Sequence, residues 1–301
     1  KQRFKKQIEI IFINFKRRWN NAESMRRFAG HWEQISMQPA GNCVGIRYIQ
    51  TQNEGGENLY IFGKTDIGKM RSSNQDVYYF YQLNEQAAFG LVCDGMGGEN
   101  GGHIASAIAS NVIYHSIIEH YQDDMSDDEY KSLLISSVSS GNIAVYDKSL
   151  ENQHYMGMGT TVDLLLLVKD KAYIAHVGDS RVYMLRDKEL YQVTKDHSMV
   201  QTLLEQGKIT QDQAQHHPQK NMITRAVGVS CFVDIDYIEI SNVLDTTFLL
   251  CSDGLTNTCT DEKIQDILNQ TSPEKVCDTL VTMANDAGGM DNITVVYMTN
   301  S

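Results

Sequence analysis

Four times along this chain an apolar, β-forming run meets an aspartate at its tip. The run 88–93 enters Asp94, and three of the four residues after it are glycine. The run 172–177 leads through Gly178 to Asp179, and 246–252 leads to Asp253 and Gly254. Asp291 reverses the order and stands just before the apolar run 293–298. Short runs of this composition read as buried strands. One Asp-Gly at a strand end is an ordinary turn. Four of them, on strands lying side by side, make a carboxylate cluster. Such a cluster stays ionised only if a cation offsets its repulsion. Oxygen donors alone select hard ions, Mg2+ or Mn2+, over zinc or copper.

Around these tips the pattern predicts strands over 60–64, 77–82, 161–168, 171–177, 181–186 and 293–298, with a strand pair within 232–251. Helices are expected over 103–121, 127–150, 261–269 and 273–286. Ser126 with three acids opens the second, and Ser272-Pro273 opens the last. Strands grouped in antiparallel runs and helices grouped in pairs indicate an α+β fold of layers, not a parallel βαβ array. Residues 1–59 differ from the rest. Residues 1–60 carry ten Lys/Arg against five Asp/Glu, whereas 61–301 carry sixteen against thirty-three. The basic extension 1–59 is open to three readings: a partner- or surface-binding helix, a disordered segment, or a segment foreign to the domain. The acidic body speaks against nucleic-acid binding. No segment approaches the roughly 20 apolar residues of a membrane span. Six cysteines form no CxxC pair. They read as thiols of a reducing compartment, so a cytoplasmic location is expected.

Seven motifs occur in order: Arg71 with Asn74-Gln75-Asp76; Asp94-Gly95-Met96-Gly97-Gly98; Met158-Gly159-Thr160-Thr161; Gly178-Asp179-Ser180-Arg181; Thr224-Arg225-Ala226-Val227-Gly228; Ser252-Asp253-Gly254-Leu255; and Asp291-Asn292. In this order they resemble the metal-dependent type 2C serine/threonine protein phosphatases, in their bacterial single-domain form. The resemblance covers about 60–298. It implies a catalytic domain over 60–301, built as a four-layer α-β-β-α sandwich of two antiparallel sheets flanked by helix pairs. It implies hydrolysis of phosphoserine and phosphothreonine in proteins by a metal-activated water, opposing a eukaryotic-type bacterial kinase. Two Mn2+ or Mg2+ ions would be held tightly and a third weakly. By matching motifs, Asp94 would bridge the first two, with the Gly95 carbonyl on one. Asp253 and Asp291 would complete the second, and Asp179 with Asp253 would hold the third. Asp76 would orient metal-bound water, and Arg71 would grip the phosphate. Residues 198–222 match a flap beside the site. The implied partners are phosphorylated proteins, a Ser/Thr kinase among them, and the implied state is a monomer.

Elementary chemistry supports those roles. Phosphate monoester dianions repel hydroxide, and two cations about 3.5–4 Å apart answer that repulsion. An arginine fork binds two phosphoryl oxygens at once. In one place the chain departs from many eukaryotic members. Met96 occupies the position of a histidine thought to protonate the leaving group, and a thioether has no proton to donate. His103 is an alternative donor or simply a helix-start histidine. His176 reads as a core histidine, and Thr160 and Thr161 as structural. Two other readings stay open. One is a dedicated phosphatase of a single regulatory protein, whose relatives usually lack the Gly178-Asp179-Ser180-Arg181 type of motif. The other is an inactive binding module, which would have lost a metal aspartate, yet all four remain.

Overall fold

The computed structural model describes residues 49–52, 58–97, 101–215 and 217–300. Twelve strands, β1 (Ile49–Gln52), β2 (Asn58–Asp66), β3 (Asp76–Asn84), β4 (Ala87–Met96), β5 (Gly159–Thr160), β6 (Val162–Val168), β7 (Lys171–Val177), β8 (Arg181–Arg186), β9 (Glu189–Gln192), β10 (Asp236–Ser241), β11 (Thr246–Cys251) and β12 (Ile293–Asn300), form two sheets. One sheet has the order β1-β2-β12-β11-β8-β9. The other has the order β10-β7-β6-β4-β3, with β5 added to β4. Among the described residues every strand pairing is antiparallel.

Period-two alternation decides which side chains face which layer. On β4, Phe89, Leu91 and Cys93 face a helix pair, α1 (Gly102–His120) and α2 (Asp127–Leu150). Ala88 and Val92 face the other sheet, where they join Leu165, Ile174, Phe248, Leu250, Val296 and Met298 in the central core. The outer face of the sheet that contains β11 and β12 carries Leu249, Cys251 and Val295 against α6 (Asp261–Gln270) and α7 (Pro273–Asp286). Burying each large side chain in these layers stabilises the fold by roughly 1.5–3 kcal/mol. The result is the expected four-layer α-β-β-α sandwich. Capping fixes where α2 starts, because Glu129 reaches back to accept a 2.7 Å hydrogen bond from the Ser126 amide. Residues 199–215 contribute two short helices, α3 (Met199–Glu205) and α4 (Gln211–Gln215), and Asp253–Thr256 forms a one-turn α5.

The domain start read at residue 60 falls inside β2, and β1 extends the sheet further upstream, Ile49 pairing with Ile61. The rest of the basic extension, 1–48 and 53–57, lies outside the described residues, as do Gly98, Glu99 and His216. Among the described residues no helix is long and apolar enough to cross a membrane. The five described cysteines are free thiols, and all but Cys231 are buried.

Candidate active site

Strand register gathers the aspartates at one end of the sandwich. Asp76 opens β3 directly opposite Asp94 near the end of β4. Asp94 alternates with Val92 and Ala88, so it points into the gap between the sheets. Asp179 follows β7, Asp253 follows β11, and Asp291 precedes β12. Cys251 is paired with both Arg181 and Val295, which brings those last three tips together. Five acids spread over 215 positions of sequence thus share one rim.

The backbones that carry these acids are held firmly. At Gly95 a Cβ would lie 2.2 Å from the Gly102 carbonyl oxygen and 2.7 Å from that of Gln75, so only glycine fits. The hydroxyls of both threonines hold the Asp94 backbone. Thr160 Oγ1 donates to the Asp94 carbonyl (2.8 Å), and Thr161 Oγ1 accepts from the Asp94 amide (2.9 Å). Thr161 Oγ1 also meets Ser180 Oγ at 2.7 Å. Ser252 Oγ donates to Asp76 Oδ2 (2.7 Å) and accepts from the Thr294 amide (2.9 Å). Asn292 is 4 % exposed and staples the segment bearing Arg71 to the Asp291 tip. Its Oδ1 accepts from the Gln75 amide (2.8 Å), and its Nδ2 donates to the carbonyls of Ile67 (2.9 Å) and Ser73 (3.0 Å).

The carboxylates are held less kindly. Burial and then repulsion from Asp76, Asp253, Asp179 and Asp291 raise the Asp94 pKa well above its usual value. Burial, then Asp179, Asp291 and Asp76, do the same to Asp253. Burial pushes Asp76 up to about 6 against the pull of its Thr294 and Ser252 partners. Burial and then Asp196 push Asp179 up to about 7. Asp76 Oδ1 and Asp253 Oδ1 are buried with no hydrogen-bond partner. Arg71 NH2 donates to Asp291 Oδ2 at 2.6 Å, and that bond is the main cause of the raised Arg71 pKa. Asn257 Nδ2 donates to Asp253 Oδ2 at 2.8 Å. Two acids are thus turned towards protein donors. Among the described residues no three His, Cys, Asp or Glu side chains converge in ligating geometry as they stand. The donor set nevertheless fits hard divalent cations. Every group is an oxygen, two buried carboxylate oxygens lack any partner, and like-charge repulsion is what a cation relieves.

The remaining candidates separate cleanly. His176 is fully buried. Its Nδ1 meets Asp163 Oδ1 (2.7 Å) and its Nε2 the Lys195 carbonyl (3.0 Å), so it is a core histidine. His103 lines a hollow with Ile104, Asn152, His154 and Tyr155, and none of the five aspartates lines it. Arg181 braces the Asp179 turn through a fork on Asp196, Nε to Oδ1 at 2.9 Å and NH2 to Oδ2 at 2.8 Å. The sequence reading passed over Asp196, His197 and Asp236. His197 grips Gly178, and Asp236 in turn meets His197 and Arg225. Asp196 and His197 have as their only signal in the sequence a run of polar residues, 194–198, between a strand and a helix, and Asp236 has none beyond its place at the start of β10.

Comparisons with known proteins give the family. A family model described as protein phosphatase 2C matches residues 62–293. Protein phosphatase PhpP of Streptococcus pneumoniae is 35% identical over 235 residues, 78% of this chain and 94% of that protein. A serine/threonine phosphatase stp of Listeria welshimeri is 35% identical over 236 residues, 78% of this chain and 93% of its own. The solved serine/threonine phosphatase of S. agalactiae superposes with a TM-score of 0.75 at 33% identity, covering 80% of this chain and 99% of that one. The catalytic domain of the phosphatase PstP, solved in complex with two manganese ions, gives 0.70 at 31% identity over 81% of this chain and 99% of its own. A match that spans most of the chain, includes the strands bearing all five acids and extends over nearly the whole length of each relative leaves one assignment: this chain belongs to the protein phosphatase 2C family.

Proposed function

We propose that the protein hydrolyses phosphoserine and phosphothreonine in other proteins, with Mn2+ or Mg2+ bound at the acidic rim. One observation carries this reading. Five aspartates from both sheets meet at one end of the sandwich beside an arginine fork, Asp76 and Asp179 buried and the other three half-buried, and the neighbouring acids repel Asp94 and Asp253. Divalent ions bound there would neutralise phosphoryl oxygens and activate a water for in-line attack. Asp94, with the Gly95 carbonyl, Asp253 and Asp291 would hold two ions. Asp179 with Asp253 would hold a third, more weakly. Asp76, anchored through one oxygen by Ser252, would present the other to orient water. Arg71 sits beside Asp291 and is half exposed, so its fork can turn to an incoming phosphate. Met96 cannot donate a proton, so the leaving alkoxide must be protonated by another group.

The substrates under this reading are phosphorylated proteins, a Ser/Thr kinase among them. Because one chain supplies every proposed ligand, a monomer suffices. The buried free thiols suit a reducing cytoplasm. We take the catalytic unit to begin at β1 rather than at residue 60. The deciding assay incubates the full chain with a phosphothreonine peptide and an autophosphorylated kinase, in Mn2+, Mg2+ or EDTA. Turnover is expected with either ion and not with chelator. Full activity after EDTA and exhaustive dialysis would overturn the metal-dependent reading.

A further inference from the structure

We propose that His197 is a positioning residue: it fixes the Gly178–Asp179 turn and ties both ends of the 198–223 segment to it. The turnover arm of this proposal rests on the phosphatase reading; the structural arm does not. After β7 the chain turns at Gly178 with φ of +121°, and a Cβ there would lie 2.5 Å from Thr161 Cγ2. One side of the turn therefore packs on the threonine that holds the Asp94 backbone. The other side is captured by His197. Its amide donates to the Gly178 carbonyl (2.7 Å), and its ring Nδ1 accepts from the Gly178 amide (3.0 Å). One histidine thus satisfies both backbone groups of the residue before Asp179.

The ring itself is well fixed. With Nδ1 accepting, the proton sits on Nε2, which lies between Asp236 Oδ2 at 3.1 Å, its acceptor, and Arg225 NH1 at 2.9 Å. Arg225 NH1 holds the same carboxylate through Oδ1 at 2.5 Å. The His176 ring lies 4.6 Å away, with both of its nitrogens already engaged. Burial first, then His176, pull the His197 pKa down to about 4, so the ring is neutral at ordinary pH and Nδ1 remains an acceptor.

His197 also stands where the flap segment leaves the domain. Its carbonyl accepts from the Thr224 amide (2.8 Å), Ser198 pairs with Ile223, and the Met199 amide donates to the Met222 carbonyl (2.8 Å). Segment entry, segment exit and the Asp179 turn meet at one residue. A side chain that only filled space here would not need an acceptor at the Nδ1 position.

Two substitutions separate these possibilities. His197→Asn places a carbonyl oxygen near the Nδ1 position and loses the reach to Asp236. His197→Gln keeps a polar group near Asp236 but has no acceptor at Gly178. The first measurement is amide hydrogen exchange at Gly178 and Asp179 in the full chain with chelator. The second is phosphothreonine-peptide turnover against Mn2+ concentration. Losing one buried hydrogen bond corresponds to about a tenfold change. We expect His197→Gln to speed Gly178 exchange about tenfold and to raise the Mn2+ needed for half-maximal turnover, with His197→Asn close to wild type in both. Wild-type protection by His197→Gln, loss of protection in His197→Asn equal to that in His197→Gln, or a His197→Asn chain that does not fold overturns the proposal. A His197→Gln chain that alone fails to fold supports it. Wild-type protein without turnover at any Mn2+ concentration sinks the phosphatase reading and leaves the exchange result to decide the role of His197.

Discussion

Replacing Asp179 by asparagine should make the metal-free protein more stable. Asp179 is 8 % exposed, and burial, then Asp196, raise its pKa from 3.8 to about 7. Between about pH 4 and 7 the folded protein therefore holds a proton that the unfolded chain has released. Its stability falls as pH rises across that window and stays low above it. A shift of about three pKa units corresponds to about 4 kcal/mol. Asparagine is nearly isosteric and has no charge to desolvate, so it removes this term and leaves the turn in place. Its amide protons need acceptors, so a net gain of roughly 2–4 kcal/mol at pH 8 is the reasonable expectation. For a domain of this size that is a rise in Tm of about 5–10 °C.

Far-UV circular dichroism during thermal unfolding, at pH 5 and pH 8 with EDTA, measures the effect. At pH 5, about one unit above the unfolded value, wild type has lost only roughly 1.5–2 kcal/mol of this stability, so the variant should gain less than half as much there as at pH 8. With Mn2+ the order should compress or reverse, because wild type binds the ion better in the folded state and is stabilised by that binding. An Asp179→Asn protein less stable than wild type at pH 8 in EDTA would refute the reasoning. So would an equal gain at both pH values, since the gain would then owe nothing to charge.

Two further substitutions and two truncations test separate links. Arg71→Ala should raise KM for small phosphoesters about tenfold, since the fork binds phosphate in ground and transition states alike, and should cost under about 1 kcal/mol of stability because Arg71 is half exposed; steady-state kinetics with an unchanged KM would reduce Arg71 to a salt bridge with Asp291. Gly95→Ala drives a Cβ into two backbone carbonyls and should lower stability by about 1–3 kcal/mol while abolishing turnover, as urea unfolding and a peptide assay would record. A chain starting at Ile49 should keep full activity and the wild-type Tm. One starting at Tyr60 should melt lower, because it loses β1 and the buried Leu59, and equal melting temperatures would show that β1 adds nothing.

Much of the fold can be read from the sequence because its signals are local. Ser126 and Pro273 mark helix starts within a turn, and alternation along β4, β6 and β7 separates the helix face from the inter-sheet face. β1 and β9 escape such reading: 37–57 carries no clear period, and the four residues of β9 lie at a sheet edge with mostly exposed side chains. The strand-tip aspartates stand out because acid follows apolar run. Their supports do not. Asn292 acts on Gln75 across 217 positions, and Ser252 acts on Asp76 across 176. No window of sequence contains both partners. His197 is hidden for the same reason, since its meaning lies in a glycine in the turn after β7 and a carboxylate at the start of β10.

The supports also explain how a protein can keep such a cluster at all. Thr160, Thr161 and Asn292 bond mainly to backbone groups, and Ser252 takes only one oxygen of Asp76. The chain near each acid is therefore fixed, while Asp76 Oδ1 and Asp253 Oδ1 are left with no partner. A fold selected only for stability would satisfy those oxygens or replace the acids, because a buried unpaired carboxylate costs several kcal/mol. Here the hydrogen bonds stop one atom short. What the arrangement stabilises is the position of the carboxylates, and what it leaves unmet is their charge. The unmet charge is available to a cation, so the same burial of charge that should make Asp179→Asn the more stable metal-free protein is what should make wild type the better metal binder.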